Sequence, residues 1–234
     1  MNVIPNHVVV IPDGNRRFAK ELGKDPWYGH ELGAKNTENL IKRAHKLGIR
    51  ELSFWGSSLE NLKKRPVEET RALLRIYETY FKELLGNSDI HENKVRVRLI
   101  GRWREQFPES LKTTLFQIEE ATKDYGEYGL NFFLAYSGDD DMLQACNNLL
   151  AQYGDKKTHI GPEELKQALM TKELPVVDYM IRTGGDPHLS AGFMMWDTAN
   201  VELYFSDKLY PGFDEEAFEE AILDFGRRAR RHGK

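Results

Sequence analysis

An α/β fold with a mostly parallel sheet is what this sequence predicts, and three observations carry it. Short apolar runs rich in β-branched and aromatic residues alternate with longer segments of helical periodicity. The first run, Val8-Val9-Val10-Ile11, lacks polar alternation, the pattern of a strand covered on both faces. Polar, glycine-bearing loops follow several strands, and open α/β sheets bind ligands beyond the carboxyl ends of their strands. The chain has 234 residues, 40% of them hydrophobic, and no Pro/Gly/Ser-rich linker. That is enough for one large core, so a single domain over residues 1–234 is expected.

Taken in order, the first strand runs from His7 to Ile11 and Pro12 stops its ladder. Gly14 permits a turn, and residues 16–22 are good helix formers. Pro26-Trp27-Tyr28-Gly29-His30 reads as a loop. Residues 33–47 carry a helical pattern through Leu40, Ile41, Ala44 and Leu47, with Gly48 placed to end it. Residues 51–55 form the second strand, and residues 56–66 a polar loop long enough to be functional. Residues 67–85 are an amphipathic helix with Leu73, Leu74, Tyr77, Phe81, Leu84 and Leu85 on its apolar side. The third strand is 95–100, followed by a helix over 108–122 with Leu111, Leu115 and Ile118 at helical spacing. The fourth strand is 130–136, then a helix over 142–153 and a short one over 163–170 opened by Pro162. Residues 176–181 and 201–205 are the fifth and sixth strands, and residues 214–230 the closing helix. The expectation is a six-stranded sheet flanked by helices.

The totals exclude several classes. A net charge of −4 offers no general attraction for nucleic acid, so any anion site is local. Cys146 is the only cysteine, which rules out an internal disulfide and a cysteine-rich metal site. The N-terminus lacks a basic region followed by a long apolar run, and no apolar window approaches the roughly 20 residues that span a bilayer. A cytoplasmic protein is expected, with room for a peripheral membrane contact.

The chemistry concentrates after the first strand. A strand, a glycine turn and a helix start together make an anion site, because unpaired N–H groups gather there. Asp13 beside such a site repels a phosphate unless a divalent cation lies between them. The stretch therefore points to a diphosphate held by backbone N–H groups and Arg17, with a metal on Asp13, although Asp-Gly is also an ordinary turn. Arg182-Thr183-Gly184-Gly185-Asp186 follows the fifth strand; its glycines admit a ligand close to the backbone and Arg182 grips phosphate with two N–H bonds, or the pair is a plain turn. Glu202 stands among Trp196, Leu203, Tyr204 and Phe205, either pairing, binding a cation or meeting solvent at a strand end. The topology gathers Asp13, Arg17, Ser58, Glu60, Arg182 and Ser190 around one cleft.

Five motifs in order carry a resemblance: His7-x-x-x-Ile11-x-Asp13-Gly14-Asn15-x-Arg17, Gly29-His30, Ser57-Ser58-x-Glu60-Asn61-Leu62, Arg182-Thr183-Gly184-Gly185, and Trp196 followed by Glu202-Leu203-Tyr204-Phe205. From His7 to the C-terminus the chain resembles the cis-prenyltransferases, the undecaprenyl diphosphate synthase-like enzymes. The resemblance implies condensation of isopentenyl diphosphate with an allylic diphosphate, Mg²⁺ as cofactor, a hydrophobic tunnel for the product and a homodimer. It implies catalysis by Asp13, Asn15 and Ser58. Gly14, Asn15, Arg16 and Arg17 would cradle the allylic diphosphate with His30 nearby, and Ser58, Glu60 and Asn61 would lie in a segment that closes on the substrates. Arg182, His188 and Ser190 would meet isopentenyl diphosphate. Asp13 would hold the metal with Glu202, the latter reaching the partner subunit's site. Arg231 and Gly233 would fold over the homoallylic diphosphate, although Arg227, Arg228, Arg230 and Arg231 also read as a solvated basic run. The helix over 67–85, with Phe132 and Leu134, would line the tunnel.

Two positions depart from the family pattern. Pro26 stands where an arginine usually precedes Gly-His, and His188 where a second arginine follows Arg-Thr-Gly-Gly. Histidine does not grip phosphate bidentately. Arg16, Lys20 and Lys24 are the candidates to compensate. Asp139-Asp140-Asp141 lacks the later carboxylate of an Asp-Asp-x-x-Asp site and reads as a helix N-terminal cluster. Two rivals stand beside the transferase: a non-catalytic scaffold of the same fold, and a metal-dependent phosphate-ester hydrolase built on Asp13.

Overall fold

The computed structural model describes residues 3–156 and 159–228. The opening apolar run is strand β1 (His7–Ile11), buried at all five positions. Helices α1 (Asn15–Glu21) and α2 (Pro26–Leu47) lead to β2 (Glu51–Trp55), again wholly buried. Next come α3 (Leu59–Lys64), α4 (Val67–Leu85), α5 (Ser88–Glu92) and β3 (Val95–Ile100). The middle of the chain gives α6 (Trp103–Gln106), α7 (Glu109–Thr122), β4 (Tyr128–Phe133) and α8 (Gly138–Tyr153). It closes with α9 (Pro162–Ala168), β5 (Tyr179–Arg182), β6 (Glu202–Phe205) and α10 (Glu215–Arg227).

The strands form one six-stranded sheet in the order β3-β4-β2-β1-β5-β6, every pair parallel. The chain winds from β1 towards β2 on one side and returns to place β5 on the other. The loops after β1 and β5 therefore diverge and leave a crevice at the carboxyl edge, where such sheets take ligands. Alternating side chains feed two cores. Val8, Val10, Phe54, Leu99 and Phe132 pack with Leu40 of α2, Phe81 of α4, Leu115 of α7 and Phe218 of α10. On the other face Val9, Ile11, Trp55 and Phe133 meet Leu174, Val177, Phe193 and Met194.

Local chemistry explains the boundaries, including those where the sequence reading fails. Pro26 to His30, expected as a loop, is the start of α2: proline at N1 needs no donor and presets the helical φ. The loop expected over 56–66 contains α3, whose N-terminal residue Ser58 accepts a hydrogen bond from the Asn61 N–H at 3.0 Å. The fourth strand starts and ends earlier than expected. After Phe133 the backbone turns, Ala135 adopting φ 53° with its N–H donating to Ser57 Oγ. Leu134 N–H still bonds the Ile100 carbonyl of β3 at 2.8 Å, but Tyr136 N–H turns to the Ser57 carbonyl, and both side chains are buried. Helix α8 starts at Gly138, so Asp139, Asp140 and Asp141 occupy its first turn, where negative charge suits the helix dipole. Strand β5 starts at Tyr179 because Val177 bonds the Asp197 carbonyl instead of a neighbouring strand.

Candidate active site

Asp13 sits in the turn that leaves β1, and three segments pin its backbone. Its N–H donates to the Ile11 carbonyl at 3.0 Å, and its own carbonyl accepts from Tyr210 N–H at 3.0 Å and Thr183 Oγ1 at 2.7 Å. Gly14 follows at φ 111°, and a Cβ there would lie 2.9 Å from Leu209 Cα, so only glycine fits. The carboxylate lies between two guanidinium groups. Arg182 Nη2 donates to Oδ2 at 2.9 Å and Arg17 Nη2 to Oδ1 at 3.1 Å, while Arg17 Nη1 donates to the Gly184 carbonyl at 2.6 Å.

Two polar basins meet at this residue. The first, about 560 Å³, holds Gly14, Asn15, Arg16, Arg17 and His30, with Lys20, Lys24 and Pro26 at its walls. The second, about 480 Å³, holds Ser58, Glu60, Asn61, Arg182, His188 and Ser190. Pro12, Asp13 and Arg65 line both. The single cleft expected from the sequence is thus divided, with Arg17 on one side and Ser58, Glu60, Arg182 and Ser190 on the other. A third cavity, about 80 Å³ and mostly apolar, begins at Pro12, Asn15 and His30 and runs under α4 along Leu73, Tyr77 and Phe81 to Phe132 and Leu134.

The second basin is organised by Arg182, only 5% exposed. Its Nη1 donates to the His188 carbonyl and to Ser190 Oγ, both at 2.8 Å. The His188 ring uses both nitrogens: Nδ1 is 2.8 Å from Asp186 Oδ1 and Nε2 is 2.9 Å from Ser190 Oγ. His188 therefore braces Ser190 instead of replacing an arginine directly. Its hydrogen bond holds the exposed Asp186 carboxyl below the usual range. Glu60 is exposed and pairs with Lys64, which lowers its pKa.

In the first basin His30 is held neutral, its pKa lowered to about 4 first by burial and then by Arg65 and Arg16. Asn15 donates to the Pro12 carbonyl at 3.1 Å. A Cβ on Gly29 would fall on the Asn15 carbonyl oxygen, which is how α2 comes close to α1. Sequence reasoning missed Arg65 and Glu69. The signal present was their four-residue spacing across Pro66 at the start of α4.

Glu202 is not brought to Asp13 within the chain. The register places Arg182 opposite both Ile11 and Phe205, so Glu202 lies about 10 Å back along β6. Its carboxylate is 3.9 Å from Arg228. Arg231 and Gly233 lie outside the described residues. Among the described residues no group of three or more His, Cys, Asp or Glu could hold a metal ion.

A family model described as undecaprenyl diphosphate synthase matches residues 11–233. A tritrans,polycis-undecaprenyl-diphosphate synthase (geranylgeranyl-diphosphate specific) from Pyrococcus abyssi is 39% identical, over 99% of this chain and 88% of that protein. A ditrans,polycis-undecaprenyl-diphosphate synthase ((2E,6E)-farnesyl-diphosphate specific) from Pasteurella multocida is 37% identical, over 99% of this chain and 96% of that one. Among solved structures, a lavandulyl diphosphate synthase from Lavandula x intermedia in complex with dimethylallyl diphosphate matches with a TM-score of 0.92 and 30% identity, covering 99% of both chains.

Proposed function

The chain belongs to the undecaprenyl diphosphate synthase family of cis-prenyltransferases, and from that premise we propose that it condenses isopentenyl diphosphate with an allylic diphosphate to extend a Z-polyprenyl chain. The observation that carries this reading is the pair of arginine-lined polar basins joined at Asp13, with an apolar cavity leading away from the first. Two anionic heads and one growing hydrocarbon need that arrangement. Neither a hydrolase of one phosphate ester nor a scaffold requires it.

In this mechanism the allylic diphosphate occupies the first basin on Arg16, Arg17, Arg65 and the Gly14-Asn15 backbone, with Lys20 and Lys24 beside it where Pro26 supplies no donor. Isopentenyl diphosphate occupies the second basin on Arg182 and Ser190, with His188 holding Ser190 in place. Ser58, Glu60 and Asn61 close over it from α3. Breaking the allylic C–O bond builds charge on the departing diphosphate, and fixed guanidinium groups stabilise that charge where it forms. The double bond of isopentenyl diphosphate attacks the allylic carbon, and loss of a proton sets the new cis double bond. The growing chain then passes under α4.

The reading includes Mg²⁺. One carboxylate between two anion basins suits an ion that takes one or two protein carboxylates, substrate oxygens and water. Asp13 would hold it, and Glu202 would reach the partner subunit's site. When bound, the ion neutralises diphosphate charge and assists its departure. The chain is read as one domain over residues 1–234, working as a homodimer. In support, β6 is an edge strand with Phe205 exposed, and an apolar groove of about 510 Å³ lies between α8 and α9 beside Leu150, Ile160 and Trp196. Among the described residues no helix is long and apolar enough to cross a membrane. A cytoplasmic enzyme that meets the membrane through its lipid product fits that.

Purified protein incubated with Mg²⁺, farnesyl diphosphate and labelled isopentenyl diphosphate tests the reading. Label in longer polyprenyl diphosphates supports it. Phosphate release without elongation would make the protein a hydrolase, and inertness a scaffold.

A further inference from the structure

Behind the wall between the two basins lies a carboxylate that the mechanism above does not use. Glu69 stands in the first turn of α4 with its side chain 5% exposed, although α4 begins at the surface. Three side chains from three other segments converge on its Oε1: Arg16 Nε at 3.5 Å, Arg65 Nε at 3.5 Å and His30 Nε2 at 3.9 Å. With His30 neutral, the two guanidinium groups are the charged partners of Glu69 among the described residues.

The geometry of those two arginines differs in a useful way. Arg16 is 58% exposed and lines the first basin only. Arg65, at the end of α3, is 15% exposed and lines both basins. Its Nη1 is buried and makes no hydrogen bond among the described residues. In each arginine the Nε side faces Glu69, so the anchoring carboxylate lies behind the fork that would grip phosphate.

We infer that Glu69 is a positioning residue that holds Arg65 from behind, so that one guanidinium spans the wall and serves both diphosphates. The inference rests on the function proposed above. A buried carboxylate is retained only where cations answer it, and here the cations it fixes are the ones the basins need. Without it, Arg16 and Arg65 repel each other, and Arg65 swings away from the shared wall. Because Arg65 faces both basins, the loss registers at both substrates, whereas loss of Arg16 registers at the allylic substrate alone.

The test is a double-mutant cycle read as separate KM values for the two substrates. Glu69 meets the arginines as an ion pair at 3.5 Å, not through a hydrogen bond. Glu69→Ala is expected to raise both KM values roughly tenfold, the worth of the charge-assisted bond that a displaced Arg65 no longer makes to each diphosphate. In an Arg65→Ala background the same change should add less than about twofold for isopentenyl diphosphate. Glu69→Gln, which keeps size and shape should the alanine variant fail to fold, is expected to raise both values as well. An undiminished Glu69→Ala effect in the Arg65→Ala background, or a normal pair of KM values in Glu69→Gln, overturns the inference. If the wild-type protein elongates nothing, the proposed function itself falls. The cycle then stays readable by calorimetry with inorganic diphosphate, where the same loss of additivity is expected and additive effects refute the coupling.

Discussion

Arg182 reaches across the seam between β5 and β1 to donate to Asp13, Nη2 to Oδ2 at 2.9 Å, joining residues 169 apart in sequence. The contact puts one of the most buried charged groups of the second basin against the carboxylate that both basins share. It also means that Asp13 is already oriented before any ligand arrives, because Arg17 holds its other oxygen.

Asp13→Ala is expected to lower elongation by at least about a hundredfold, since the group that stands between two diphosphates is lost. Arg182 keeps Ser190, the His188 carbonyl and, at 3.7 Å, Asp186, so the fold should persist. Incorporation of labelled isopentenyl diphosphate, with circular dichroism as the control for folding, checks both parts. Near-normal incorporation would remove Asp13 from the mechanism.

His188→Ala should raise the KM for isopentenyl diphosphate about threefold to tenfold and leave the allylic KM alone. Its ring braces Ser190 Oγ, and a neutral hydrogen bond contributes about 1 kcal/mol. His188 lines the second basin but not the first. Initial-rate kinetics with each substrate varied in turn separate the two constants, and an equal rise in both would contradict the assignment of basins.

How much of this was legible without coordinates depends on the kind of signal each residue leaves. The Asp13-Gly14 turn and Arg182-Thr183-Gly184-Gly185 were legible because each follows an apolar strand and uses glycine where a side chain has no room. Helix α3 was not, since six residues with only Leu59 and Leu62 to mark an apolar side, and the Ser58 cap before them, look like loop. Pro26 misled for the opposite reason, being a loop residue by habit and a first helical residue here. Glu69 was invisible because a charged residue in an amphipathic helix normally faces solvent. What buries it is the arrival of Arg16, His30 and Arg65 from elsewhere, and no local pattern records that.

Stability should fall as pH drops below neutrality, and His7 is one cause. Its ring is fully buried, with Nε2 2.8 Å from Ser53 Oγ and Nδ1 2.9 Å from the Pro175 carbonyl. Burial lowers its pKa from 6.5, against the opposing pull of the Pro175 carbonyl and of Glu51, Asp197 and Asp178. Below pH 6.5 the unfolded chain takes up a proton that the folded chain refuses, so this contribution is whole above 6.5 and shrinks as pH falls, by at most about 1.4 kcal/mol per pH unit. Asp141 and Glu119, whose pKa values burial raises, act in the opposite sense, so the wild-type curve alone does not isolate His7. His7→Gln should be less stable at pH 7.5 and show a shallower loss of Tm from pH 7 to 5. An unchanged slope would clear His7.

Glu202 supplies the sharpest test of the subunit arrangement. The sheet register sets it about 10 Å behind Asp13's end of the strands, and within its own chain it meets Arg228. In the homodimer proposed above, a role at the metal is open to it only from the other subunit. Homodimers of Asp13→Ala and of Glu202→Ala should each be severely impaired. A mixed dimer places both substitutions in one site and neither in the other. Subunits exchanged by unfolding and refolding together form about half mixed dimers if pairing is random, so activity should recover to roughly a quarter of the wild-type level, one good site in half of the dimers. If Glu202 acted within its own chain, every site would carry one lesion and no recovery would follow. Recovery measured against the fraction of mixed dimers, separated by differently tagged subunits, decides between the two.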